Sequence, residues 1–255
     1  MNPLLLGLIV VCGAAFLVGG IVILQQRVSE PQAREGYNEV AGSVFEIVSV
    51  LYAIVLAFVL IALWEARIEA RDITYTEAEA LAEVYWTTEN LENEDAKAVQ
   101  ELSRDYVDLA VEEEWPTMAD HEEVGVAGWE IIDDMRAKLA HMPLESEAEV
   151  ALWEDAQEQV RTLSEARNDR LNTAQRGMTA VMWLVLIAGA LLMLGVLLLF
   201  GVPGRLAHLV VVVIAASMIA LLLFSVYELE FPFAREVAIG PDAYLLALER
   251  MDNIG

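Results

Sequence analysis

Glu46 is the single charge in the stretch Val44 to Trp64, VFEIVSVLYAIVLAFVLIALW. A carboxylate inside a membrane span is costly and faces a partner, a cavity or an ion path. One helical turn later Val50, Ile54 and Phe58 repeat at every fourth position on the same helix face as Glu46, flanked by the small Ala53 and Ala57. Arranged around a symmetry axis, that face would form three apolar rings with Glu46 at one mouth, and such rings gate or filter ions by controlling wetting. The same stripe also suits a helix facing lipid or a neighbour. Glu46 equally suits an interfacial carboxylate that reaches water or pairs with Arg34. A second pair of residues, Arg167 and Arg170, lies three apart on one helical stretch. Their expected role is structural, each pairing with carboxylates of the 65–110 helices near the membrane, because guanidinium forks suit fixed carboxylate partners.

Other chemistries find little support. The run Glu112-Glu113-Glu114 places three consecutive carboxylates in different directions around a helix, so they are expected on a wet helix end, not around one cation. Cys12 is the one cysteine, and His121, His141 and His208 are scattered without ligand spacing, which leaves no disulfide framework and no zinc site to build within one chain. Nucleophile-elbow, phosphate-loop, H-E-x-x-H and EF-hand patterns are absent, so neither an enzyme nor a cofactor is expected. A formal net charge of −25 excludes binding to nucleic-acid phosphate through net charge.

The elements that must position these residues follow from where the apolar residues sit. They make up 57% of the 255 residues, above the 45–50% or so of a soluble domain. Leu4 to Leu24 carries no charge across 21 residues, enough to span roughly 30 Å of hydrocarbon. It lacks the basic flank and cleavage site of a signal peptide and reads as a membrane helix. Val44 to Trp64 is a second run, and Met178 to Phe200 and Leu206 to Tyr227 form a hairpin across the turn Gly201-Val202-Pro203-Gly204-Arg205. The expected organisation is therefore membrane helices in residues 1–64 and 178–227, an acidic helical region at 65–177 and a C-terminal segment at 228–255. Arg67, Arg71, Arg167, Arg170, Arg176 and Arg235 flank the insert side, against Arg27, Arg34 and Arg205 on the other. That bias predicts a cytoplasmic insert and cytoplasmic termini, in the inner (plasma) membrane.

The insert holds 30 acidic and 10 basic residues, −20 of the total charge, and its apolar residues recur at helical spacing. Ile68, Ile73, Leu81, Val84 and Tyr85 mark one helix. Val99, Leu102, Tyr106, Leu109 and Val111 mark a second, expected to stop at Pro116, and Trp129, Ile132, Met135 and Leu139 a third that ends by Pro143. Leu152, Val160, Leu163 and Leu171 mark a fourth, expected to run unbroken into the third span, and residues 242–248 suggest one more helix after Pro241.

Several motifs in this order carry a resemblance: Asn38 and Gly42, LYAIVLAFVLIALWEARIEA from Leu51 to Ala70, Glu77-Ala78 with Glu79-Ala80, Glu114-Trp115-Pro116, Ala166-Arg167 with Arg170-Leu171, Trp183, and Pro232-Phe233. From about Tyr37 to Tyr244 the chain resembles the bacterial bestrophin-like family (DUF4239), distant kin of the bestrophin ion channels. The resemblance implies an all-α membrane protein with four transmembrane helices, a long cytoplasmic helical insert between the second and third, and a homopentamer whose second helices line a pore for small monovalent ions. It also implies an apolar neck at Val50, Ile54 and Phe58, since Ala53-Ile54-Val55-Leu56-Ala57-Phe58 is similar to the neck context. Two positions depart from the family pattern. Val59 to Leu63 stays apolar where relatives turn polar and basic, and Ala234 stands where relatives often have Gly. Nothing matches the calcium clasp of animal bestrophins. A membrane-anchored helical scaffold or sensor that conducts nothing is the alternative reading.

Overall fold

The computed structural model describes residues 3–28, 38–91, 93–200 and 204–254, and no strand occurs among them. The helices are α1 (Pro3–Val28), α2 (Asn38–Glu89), α3 (Glu94–Leu109), a π-helical turn (Ala110–Glu114), α4 (Trp115–Ala119), α5 (Ala127–His141), α6 (Glu147–Gln175), α7 (Ala180–Leu199), α8 (Arg205–Leu229) and α9 (Asp242–Ile254). Among the described residues α1, α2, α7 and α8 are long and apolar enough to cross a membrane. A helix satisfies its own backbone polar groups, which hydrocarbon cannot do for it. Most of the hairpin turn, residues 201–203, and Arg34 lie outside the described residues.

Two compact units share the chain, one comprising residues 1–65 and 177–230, the other residues 66–176 and 231–255. In the first, α1 packs on α8 through Val18, Val22, Val212 and Ala216. The start of α2 buries Tyr52, Leu56, Val59 and Leu63 against Leu186, Ala190, Ile219 and Val226 of α7 and α8. Spacings of four, three and four keep those α2 residues on one face. Gly189 permits the approach, because a Cβ there would stand 2.5 Å from the Tyr52 ring. His208 is a satisfied core histidine, its Nε2 lying 3.3 Å from the Leu197 carbonyl. The buried Glu230 accepts hydrogen bonds from Trp183 Nε1 (2.9 Å) and the Met178 amide (3.2 Å).

In the second unit, Leu81 and Val84 of α2 join Val99 and Tyr106 of α3, Ile132 and Met135 of α5, Leu163 of α6 and Met251 of α9 in one core. Asn93 caps α3 by accepting from the Ala96 amide at 2.8 Å, and Ser146 caps α6 by accepting from the Glu149 amide at 3.2 Å. Met142, just ahead of Pro143, is extended at φ −64°, ψ 125°, as the proline ring demands.

Two expected boundaries are corrected. Pro116 does not stop the helical path. It sits in the first turn of α4, where a missing N–H costs little, and the chain widens into the π turn just before it, with the Trp115 amide donating to Ala110. Nor does α6 run unbroken into the next apolar helix. It ends at Gln175 and residues 176–179 are non-helical, since Gly177 gives no helical preference and the Thr179 hydroxyl caps α7 at the Met182 amide.

Candidate functional site

Two constellations stand out, one in each unit. On α2 in the first unit, Val50, Ile54 and Phe58 point away from the buried Tyr52 face and are 54%, 48% and 69% exposed. Leu51, Ile47 and Ile61 are exposed beside them, so the outward apolar face is broader than the three-residue stripe. Ala53 and Ala57 lie on the same side and keep it shallow. Glu46 is exposed one turn earlier, and no ion pair reaches it among the described residues. This arrangement offers no nucleophile, proton donor or ligand cage. What it presents is an apolar surface with a carboxylate at one end.

In the second unit a polar network fills the core. Arg170 grips Glu77 of α2 through Nε and Nη2, at 2.7 and 3.0 Å from the two carboxylate oxygens, and reaches Glu114 with Nη2 at 2.8 Å. Arg167 forks onto Glu114 with Nη1 and Nη2 at 2.9 and 2.7 Å. The Tyr106 hydroxyl links the two pairs, accepting from Arg167 Nη1 at 3.1 Å and donating to Glu77. Two guanidiniums balance two carboxylates, and all four are buried. Aromatic faces close the cage, with Arg167 5.1 Å from the Trp129 centroid and Arg170 5.4 Å from that of Trp115. Gly128 at the start of α5 makes room, because a Cβ there would collide with the Arg167 guanidinium.

These contacts set the charge states. Burial raises the Glu114 carboxyl, but the hydrogen bond from Arg167 and the charges of Arg170 and Arg167 outweigh it and leave the group below its ordinary value. Burial and the adjacent Glu77 charge push the Tyr106 hydroxyl far above the usual phenol value. Every carboxylate oxygen here already accepts at least one hydrogen bond from a guanidinium or the Tyr106 hydroxyl. Among the described residues no three His, Cys, Asp or Glu side chains gather into a metal site.

Sequence reasoning missed one central member. Glu114 is 4% exposed instead of lying on a wet helix end, and it is the carboxylate of Arg167, outside the 65–110 range where the partner was expected. The cause is the π turn, whose extra residue rotates Glu114 inward. The neighbouring Trp115 and Pro116 were the available signals.

A Bestrophin-like domain model matches residues 12–244. Two solved structures share the fold. One is a bacterial bestrophin homologue from Klebsiella pneumoniae carrying a point substitution, with TM-score 0.70 and 15% identity over 97% of this chain and 98% of the other. The second, a variant membrane protein, gives TM-score 0.71 and 14% identity over 96% and 98%. No curated protein sequence matches the chain. The apolar helices agree with this kinship in marking an integral membrane protein. Matched over nearly its whole length, the chain belongs to the Bestrophin-like family.

Proposed function

We propose that the protein is a homopentameric channel for small monovalent ions, with five copies of α2 around the axis. The outward apolar face of α2 carries this reading: Val50, Ile54 and Phe58 are half-exposed or more on a helix whose opposite face is already packed. A single chain encloses no path along that face, so conduction needs other copies. In the ring, the three residues form an apolar neck that admits ions when wetted, and Glu46 stands at its outer entrance. The arginine bias supports cytoplasmic termini and a cytoplasmic insert in the inner membrane. Arg167 and Arg170 act as structural ties, since their partners are other core residues and not the α2 stripe. Native mass measurement in detergent, followed by planar-bilayer recording of the same sample, tests the reading. A five-fold mass with a conductance across a KCl gradient is expected. A monomer, or a pentamer silent at every voltage, replaces the channel with a scaffold.

A further inference from the structure

In the second unit, α2 continues past Ala66 with one face uncovered. Ile68 and Tyr75, seven residues apart, are 48% and 39% exposed along its centre. At about 100° per residue, Arg67 and Arg71 lie roughly 60–100° to one side of Ile68. Glu79, Asp72 and Glu69 lie roughly 20–100° to the other. The two edges of one helix face thus carry opposite charge, with an apolar line between them.

Neither edge is neutralised among the described residues. Among the described residues Arg67 and Arg71 reach no carboxylate: Nη1 of Arg67 is buried without a hydrogen-bond partner, and Arg71 lies 5.4 Å from the Tyr75 ring centroid. Glu69, Asp72 and Glu79 likewise meet no cation among the described residues. Each edge also sets like charges one turn apart, Arg67 with Arg71 and Glu69 with Asp72, an arrangement that destabilises a lone helix. A partner with the complementary edge would relieve both.

We propose that the two edges of this face dock successive copies of the same chain, α2 parallel to α2, with Arg67 and Arg71 of one copy seated against Glu69 and Asp72 of the next and the Ile68 and Tyr75 line left between the two contacts, on the same side of the helix as Val50. The inference rests on the pentamer reading and names the contact that sets its register. Because the basic and acidic edges occupy opposite sides of one helix, the contact is heterologous, the type that builds a ring where its rotation closes, as the pentamer reading requires. Flanking charges of this kind choose partner and orientation in helix assemblies. They also counter the mutual repulsion of subunits whose inserts each carry −20.

The test uses the full chain in detergent, with helicity checked by circular dichroism. Reversing one edge, Arg67→Glu with Arg71→Glu, is expected to lower the oligomer fraction about tenfold or more by native mass. Adding Glu69→Arg and Asp72→Arg, which exchanges the edges, is expected to restore it. As a second readout, Arg71→Cys with Asp72→Cys in a Cys12→Ser background is expected to give a ladder of oxidised multimers. An oligomeric wild type whose edge-reversed variant assembles equally well, whose exchange variant stays dissociated, or whose cysteine pair gives no ladder overturns this contact and leaves the pentamer reading standing. A rescue by anionic lipid in place of the exchange would assign the arginines to headgroups and overturn it too. A monomeric wild type removes the pentamer reading itself.

Discussion

At the scale of single residues, the buried charges decide more than their number suggests. Taking two ion pairs out of water is unfavourable unless every donor is matched, and removing one partner from such a set costs about 3–5 kcal/mol. Arg170→Ala leaves Glu77 without a cation, held by the Tyr106 hydroxyl alone, and takes one of three donors from Glu114, so it should lower the thermal midpoint of the purified protein by several degrees and reduce the folded yield. An unchanged midpoint would remove the tie from the account. The pH dependence has a definite sign. Glu114 has a depressed value in the folded state, so its stabilisation is complete above the unfolded Glu value of about 4.3 and is lost as pH falls through the folded one. In Glu114→Gln that acid-sensitive contribution is missing. The stability gap between wild type and variant should therefore narrow below about pH 4, as read by thermal scans on the acid side. A gap constant from neutrality into acid would contradict the charge assignment.

At the scale of elements, the close approach of α5 to α6 depends on Gly128. A methyl group there must displace a guanidinium that Glu114 holds by two hydrogen bonds, so Gly128→Ala should destabilise by about 1–3 kcal/mol, unlike Gly125→Ala, whose Cβ meets nothing within 4 Å. Equal melting of the two variants would show that the site yields freely. How far these elements were legible in the sequence follows from the range of the interactions behind them. The four apolar runs and the Val50, Ile54 and Phe58 stripe are local patterns of length and helical spacing, and they could be read directly. The caps at Asn93 and Ser146 are local as well. Glu114 was not legible. Its inward turn depends on how Pro116 is accommodated three-dimensionally, and a run of three glutamates looks solvated in any pattern that ignores the widened turn. The break at 176–179 was masked for a similar reason, because no proline marks it and Gly177 with Thr179 is a weak stop.

At the scale of the whole molecule, orientation and conduction are the claims to test. With the insert cytoplasmic, Glu165→Cys in a Cys12→Ser background should resist a membrane-impermeant thiol reagent on intact cells and react once they are permeabilised, Glu165 being 73% exposed. Labelling of intact cells would invert the topology. Conduction through the α2 neck is the central claim, and ion flux from liposomes holding wild type, Ile54→Ala or Phe58→Ala tests it most directly. Truncating either side chain widens an apolar ring and lowers its dewetting barrier. Measurable wild-type flux is expected, rising or changing its ion preference in both variants. Absence of flux for both cations and anions in all three proteins, reconstituted as intact oligomers, would contradict it.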